Sequence, residues 1–192
     1  MRDTEAKCII IGMYPALFLD RDGVIIENRP NYVRSWEDVQ IYPQALKAIA
    51  RISNSQYKIV MVTNQSVVGR GFISLEMVNK INDRLAAEIN KYGGRIDGVF
   101  VCPHAPEENC NCRKPRPGLL LEAAKTLSID LSRSVIIGDA LSDLLAGQSA
   151  GLDKTILVRT GRGATQANLS EKSILRPFLI FDTLFDAILD IK

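Results

Sequence analysis

Two acids one residue apart, Asp20 and Asp22, end the apolar run Leu17-Phe18-Leu19 and are followed by Gly23. A short run of this kind reads as a buried strand. The carboxyl ends of parallel strands are where open α/β sheets bind ligands. Paired carboxylates repel each other unless a cation lies between them. A hard dication such as Mg²⁺ suits that position, because it prefers oxygen ligands and phosphate company. One acid is then suited to attack phosphorus and the other to carry a proton. Taken alone, Asp-Arg-Asp-Gly also fits an ordinary solvated turn, so the decision rests on the rest of the chain.

A second cluster is more specific. Cys102-Pro103-His104 and Cys110-Asn111-Cys112 contain the chain's one His and three of its four Cys. Three thiolates and an imidazole, Cys102, His104, Cys110 and Cys112, form a full tetrahedral Zn²⁺ set with no open position, which marks a structural site. A disulfide or a solvated loop is the plain alternative, and a reducing compartment disfavours the disulfide. Residues 102–112 thus read as a zinc loop that runs straight into Arg113-Lys114-Pro115. A metal anchor there holds two cations ready for an anion, with little entropy lost on binding. Arg113 suits a phosphate through its planar fork. Cys8 lies far off in an apolar run and is expected to be a buried, inert thiol.

Two other strand-like runs end in polar chemistry. Ile59–Thr63 leads into Asn64-Gln65-Ser66, two amides and a hydroxyl able to hold phosphate oxygens or sugar hydroxyls. Val135–Ile137 leads through Gly138 into Asp139, with Asp143 about one helical turn on. Asp139 is placed to complete a Mg²⁺ site with Asp20, and Asp143 to orient the loop or the metal's waters. A turn and a helix cap are the bland readings of these pieces. Turns do not explain four strand ends that supply acids, a hydroxyl, a Lys and further acids.

These side chains need a scaffold. β-branched runs recur at Ala16–Leu19, Ile59–Thr63, Val99–Cys102, Val135–Ile137, Ile156–Val158 and Phe178–Phe181. Helical spacing links them: Ala45, Ile49 and Ile52; Met77 to Ile89 after a Ser74 cap; Leu119–Leu127 near Pro117; Leu141–Ala150 closed by Gly151; Leu184–Ile191 capped by Asp182. Alternation of this kind predicts an α/β fold with a doubly wound parallel sheet. The polar, Gly-rich Thr160–Lys172 stretch reads as a loop. The 192 residues suit one domain, 1–192, with residues 1–13 an N-terminal extension and Met13 an alternative start. Short connections leave no inserted cap domain, so small loops must close the site.

Composition narrows the function classes. Hydrophobic residues make up 46% and charged residues 24%, as in ordinary globular proteins. A formal charge of +2 implies no polyanion-binding surface. No apolar run approaches the roughly 20 residues that span a bilayer. The chain is therefore expected to be cytoplasmic and monomeric, without nucleic-acid or membrane partners.

Asp20-x-Asp22-Gly23, Thr63-Asn64-Gln65, Lys114 and Gly138-Asp139-x₃-Asp143 occur in the order of the four motifs of the haloacid dehalogenase (HAD) superfamily, and the match runs from Ala16 to Gly161. Within it, the zinc cluster ending in Cys112-Arg113-Lys114-Pro115 resembles two families: the D-glycero-D-manno-heptose 1,7-bisphosphate phosphatases and the histidinol-phosphate phosphatases. Thr63–Ser66 with Gly69-Arg70-Gly71, Arg116-Pro117-Gly118 and Leu157–Gly161 look like the heptose family. The short spacing in the zinc loop occurs among histidinol phosphatases too. Two departures stand out: Ala140 where the heptose family usually has Lys, and Val24 where Thr is common. The first bears on substrate contacts more than on chemistry.

The resemblance implies a Mg²⁺-dependent phosphatase with Zn²⁺ as a structural ion. Asp20 would be the nucleophile and Asp22 the acid and base, with Thr63 and Lys114 steadying the phosphoryl oxygens. Mg²⁺ would bind Asp20, the backbone carbonyl of Asp22, and Asp139, with Asp143 behind them. The segment carrying Asn28, Arg29, Asn31 and Tyr32 is polar enough to meet a sugar, beside Asn64, Gln65, Ser66 and Arg113. A grip at Arg113 as well as at Lys114 favours a bisphosphate, hydrolysed to the 1-phosphate. Histidinol phosphate or another small phosphomonoester is the next expectation. A zinc-stabilised interaction module with lapsed catalysis is the last, and the intact acids disfavour it.

Overall fold

The computed structural model describes residues 13–191. The expectations for Cys8 and for the extension before residue 13 lie outside them. Six strands form one parallel sheet: β1 (Ala16–Leu19), β2 (Lys58–Asn64), β3 (Gly98–Cys102), β4 (Val135–Gly138), β5 (Lys154–Val158) and β6 (Leu179–Phe181). Their order is β3-β2-β1-β4-β5-β6. β1 lies between β2 and β4, with Leu19 opposite Met61 on one side and Ile137 on the other. All four β1 residues are buried, because a central parallel strand is covered on both faces.

Among the described residues, seven α-helices accompany the sheet: α1 (Pro43–Ile52), α2 (Ser66–Gly69), α3 (Leu75–Lys91), α4 (Gly118–Leu127), α5 (Leu141–Ala150), α6 (Gly163–Gln166) and α7 (Leu184–Asp190). Successive strand residues point to opposite faces. Leu17 and Leu19 therefore pack with Ile49 of α1, Leu85 of α3 and Ile188 of α7. Ala16 and Phe18 pack on the other face with Leu119, Leu120 and Ala146 of α4 and α5. In α3, Val78, Ile81, Leu85 and Ile89 recur at helical spacing and are buried. Ser74 caps that helix by accepting from the Met77 amide at 3.1 Å.

Two local expectations need correction. The cap of α7 is Thr183, whose hydroxyl accepts from the Asp186 amide at 3.3 Å while Asp186 Oδ2 takes the Thr183 amide at 3.1 Å. This reciprocal pair satisfies two orphan amides at once. Asp182 lies one residue too early and instead faces Arg159 Nε at 3.1 Å. The Thr160–Lys172 stretch is also more than a loop, since it contains α6. Residues 20–42 between β1 and α1 form the main irregular connection over the sheet's carboxyl edge. Bridges from Ile26 to Asp22 and Ile41 tie it down. No helix among the described residues is long and apolar enough to cross a membrane.

Candidate active site and metal centres

The strand order reverses between β1 and β4, and open α/β sheets bind ligands where such a reversal splays the loops apart. Asp20 leaves β1 there and Asp139 leaves β4. Lys114 arrives from the loop between β3 and α4. Its Nζ lies 3.0 Å from Asp20 Oδ1 and 2.6 Å from Asp143 Oδ1, and donates to the Val62 carbonyl at 2.8 Å. Asn64 fixes the lysine's backbone from both sides: its amide donates to the Lys114 carbonyl at 3.0 Å, and the Lys114 amide donates back at 3.1 Å. Asn64 thus positions Lys114.

Asp22 has different company. Its Oδ2 accepts from Arg21 Nε at 3.0 Å and Gln65 Nε2 at 2.9 Å, and its Oδ1 from the other arm of the Arg21 fork at 3.2 Å. Gln65 also donates to Thr63 Oγ1 at 2.8 Å, so Thr63, Gln65 and Asp22 form one chain of contacts. Arg21 is 1% exposed, and its remaining arm reaches Asn82 Oδ1 on α3 at 2.9 Å. Gly23, at φ 84°, turns the chain directly against Asp139, and a Cβ there would overlap that carboxylate.

Burial sets the electrostatics. It pushes Asp20 up to about 6, with Lys114 opposing and Asp143 and Asp22 adding to the rise. Burial alone would lower Lys114, but the facing charges of Asp143 and Asp20 outweigh it and hold the ammonium above the usual lysine value. Burial also raises Asp139, against hydrogen bonds from Arg162. One side-chain oxygen each from Asp20, Asp139 and Asp143 lies within 4.8 Å of the others. Three buried carboxylates this close favour a bound dication, and their all-oxygen donor set fits Mg²⁺.

The second centre fits zinc. Cys102, His104, Cys110 and Cys112 converge at the end of β3. Cys112 Sγ lies 3.0 Å from Cys102 Sγ, 3.4 Å from Cys110 Sγ and 3.2 Å from His104 Nδ1. The edges of a zinc–sulfur tetrahedron are about 3.8 Å for bonds of about 2.3 Å, so the sulfurs stand somewhat closer together than a bound ion would hold them. The three thiols are free, which removes the disulfide alternative. Burial holds the Cys102 thiol well above its ordinary value. Burial opposes ionisation of Cys110 too, but contacts with Cys112 and the Arg113 backbone bring it down to about 7.

The expected sugar-contacting residues divide into groups. Asn28 Nδ2 donates to Asp139 Oδ2 at 2.6 Å, at the centre of the acidic group. Arg29 is spent on its own loop, donating to the Asp38 carbonyl at 2.8 Å and Gln40 Oε1 at 3.3 Å. The Asn31 carbonyl accepts from Arg34 Nε at 3.0 Å. The Tyr32 ring lies 5.9 Å from that of Phe72, which Arg34 covers at 4.4 Å. Ser66 opens α2 and is 8% exposed. Arg113 donates to the His104 carbonyl at 3.2 Å and lines a cavity of about 270 Å³ with Lys114, Asn109 and Arg116. A larger apolar hollow of about 690 Å³, bordered by Trp36, Leu46 and Tyr92, shares no residue with the acidic centre.

Sequence reasoning did not single out Arg21, Phe72 or Arg162. Arg21 had a signal, because it lies inside the Asp-x-Asp motif. Arg162 had none: its contacts to Asp139 join the loops after the neighbouring strands β4 and β5, 23 residues apart in the chain.

The 3-2-1-4-5-6 parallel sheet, with a lysine joining acids from the ends of β1 and α5, defines a hydrolase of the haloacid dehalogenase type. A family profile described as HAD-hydrolase-like matches residues 111–187. Curated relatives carry the name D-glycero-beta-D-manno-heptose-1,7-bisphosphate 7-phosphatase. The one from Bordetella bronchiseptica is 37% identical over 77% of this chain and 82% of its own length. The one from Helicobacter pylori is 42% identical over 74% of this chain and 82% of its own. A crystal structure of the D,D-heptose 1,7-bisphosphate phosphatase from B. bronchiseptica, complexed with magnesium and phosphate, superposes with a TM-score of 0.85 at 32% identity, covering 92% of this chain and 97% of that one. The chain belongs to this heptose bisphosphate phosphatase family of HAD-like phosphoric monoester hydrolases.

Proposed function

We propose that this chain removes the 7-phosphate of D-glycero-beta-D-manno-heptose 1,7-bisphosphate, leaving the 1-phosphate. The observation that carries the reading is the Asp20–Lys114–Asp143 chain at the switch point, with contacts of 3.0 and 2.6 Å, in a chain 34–42% identical to relatives of that name. Asp20 attacks phosphorus, forming an aspartyl-phosphate as the sugar oxygen leaves. Asp22 gives that oxygen a proton and then takes one from the water that hydrolyses the intermediate. Lys114 and Thr63 hold the charge that develops on the transferring phosphoryl oxygens. Asp20, Asp139 and the Asp22 backbone carbonyl would hold Mg²⁺, with Asp143 beside them. When bound, the ion offsets repulsion between the anionic nucleophile and the anionic ester.

Arg113, beside its cavity, takes the phosphate at the other end of the substrate. Asn28 and Tyr32 line the approach, and zinc in the 102–112 loop fixes where Arg113 and Lys114 stand. The same reading makes residues 1–192 one phosphatase domain. It acts as a cytoplasmic monomer on a small sugar phosphate and without nucleic acid; a charge of +2 supports the last point. Phosphate release measured side by side on both anomers of the heptose bisphosphate and on histidinol phosphate tests the substrate. The beta anomer should lead, with the 1-phosphate remaining in the ³¹P spectrum. Equal or faster release from histidinol phosphate would overturn the assignment.

A further inference from the structure

Arg162 has no part in the reaction laid out above, yet it makes three hydrogen bonds to the acidic centre, where the sugar-contacting candidate Asn28 makes one. It precedes α6 on the loop after β5. Its amide donates to Asp139 Oδ2 at 2.8 Å, its Nε to the same oxygen at 3.2 Å, and its terminal nitrogen to Oδ1 at 2.9 Å. Asn28 adds a donor to Oδ2 at 2.6 Å. One guanidinium therefore covers both oxygens of a fully buried carboxylate that also belongs to the Asp20, Asp139 and Asp143 group.

A guanidinium and a dication compete for the same carboxylate lone pairs. Holding both against one acid brings like charges together where burial weakens screening. Lys114 has no room to yield, since its side chain is 1% exposed and is tied to two acids and a carbonyl. Arg162 is placed differently. Its side chain is 56% exposed, so its fork has somewhere to go. The loop also holds without that fork. Thr160 Oγ1 donates to the Gly23 carbonyl at 2.6 Å, and Gly161 packs so tightly on Gly23 and Asp139 that a Cβ would overlap them. The Arg162 amide keeps Asp139 oriented after the side chain leaves.

We propose that Arg162 is an exchangeable counter-ion, neutralising Asp139 until a divalent cation binds and then turning to the phosphorylated anion that enters beside it. The proposal rests on Asp139 being a ligand of that cation. Its consequence is thermodynamic: cation and anion must bind cooperatively, because each supplies the partner that the other displaces.

The test is Mn²⁺ binding to the full chain, followed by paramagnetic resonance of free Mn²⁺, with and without inorganic phosphate. Arg162→Ala and Arg162→Gln should each bind Mn²⁺ roughly tenfold more tightly than the parent when phosphate is absent, a size limited by solvent screening of a half-exposed charge. Saturating phosphate should close most of that gap. A purely structural role predicts weaker binding in the variants, so the sign discriminates. Affinity equal to or below the parent's in whichever variant folds, or a gap that phosphate leaves unchanged, overturns the proposal. Asp139→Asn separates the two levels. If it binds Mn²⁺ as well as the parent, the placing of the cation itself fails; if it loses binding while the Arg162 variants do not gain, only the counter-ion role fails.

Discussion

Asp20 and Asp22 differ by two positions and by almost everything around them. Asp20 is buried, faces a lysine at 3.0 Å and is raised to about 6. Asp22 is partly open and bound by a planar fork and an amide. Two like groups in unlike surroundings can take different tasks in one reaction. Asp20→Asn should therefore lower phosphate release on the order of a thousandfold or more, because no second nucleophile replaces it. Near-parental turnover by a variant whose Asn stays unmodified by mass would remove Asp20 from the role. The two departures from the family pattern also have local accounts. Val24 is fully buried in the core beside Leu19 and Ile49, where an apolar side chain packs. Ala140 is 5% exposed at the start of α5, and its amide donates to Asp143 Oδ2 at 3.1 Å, so it holds an acid through its backbone.

At the scale of elements, the loop between β3 and α4 matters most. It has little regular structure beyond a short 3-10 turn at Pro106–Glu108, yet it carries Lys114 into the centre. Cys102 belongs to the sheet, while Cys110 and Cys112 belong to the loop, so the tetrahedral cluster fastens one to the other. Arg116 reinforces this by donating to the Asn109 and Cys110 carbonyls. Metal sites of this kind can contribute on the order of 10 kcal/mol to local folding. Chelation or Cys112→Ser should therefore release one zinc per chain and lower both melting temperature and phosphate release, although no acid of the centre is altered. Full activity in a zinc-free variant, with metal content measured by mass spectrometry, would separate the loop from catalysis. Elements also show where residue spacing misleads. Asp182 and Thr183 are both good caps, and only the turn into α7 decided for Thr183.

For the molecule as a whole, the decisive fact is that β1 adjoins β4. That neighbourhood crowds Asp20, Asp139 and Asp143 into one buried group, and burial raises Asp20 and Asp139 above the usual carboxylate range. An acid whose pKa is raised on folding stabilises the metal-free fold while protonated, and that contribution is lost as pH rises from about 4 through about 6. A dication replaces the proton, so the rise in melting temperature on adding Mg²⁺ should be small below pH 5 and fully developed above pH 7. Differential scanning fluorimetry across that range checks it. A Mg²⁺ effect equal at pH 5 and pH 8 would mean that the ion binds elsewhere.

The amino-acid sequence determined the alternation of six strands and their helices, the acids at positions 20, 22, 139 and 143, and the zinc set. These are local: an apolar run, its polar terminus and a ligand spacing can be read without knowing what lies across the sheet. Only the tertiary structure decided the partners. It turned Asn64 to the backbone of Lys114, spent Arg29 on its own loop, paired the buried Arg21 with Asp22 and brought Arg162 onto Asp139. The physical reason is that a side chain's role depends on the charges and donors facing it. In a sheet of order 3-2-1-4-5-6 some of those are near in the chain, as for Arg21 and Arg29, while those that join Asn64 to Lys114 and bring Arg162 and Asn28 to Asp139 span 50, 23 and 111 residues.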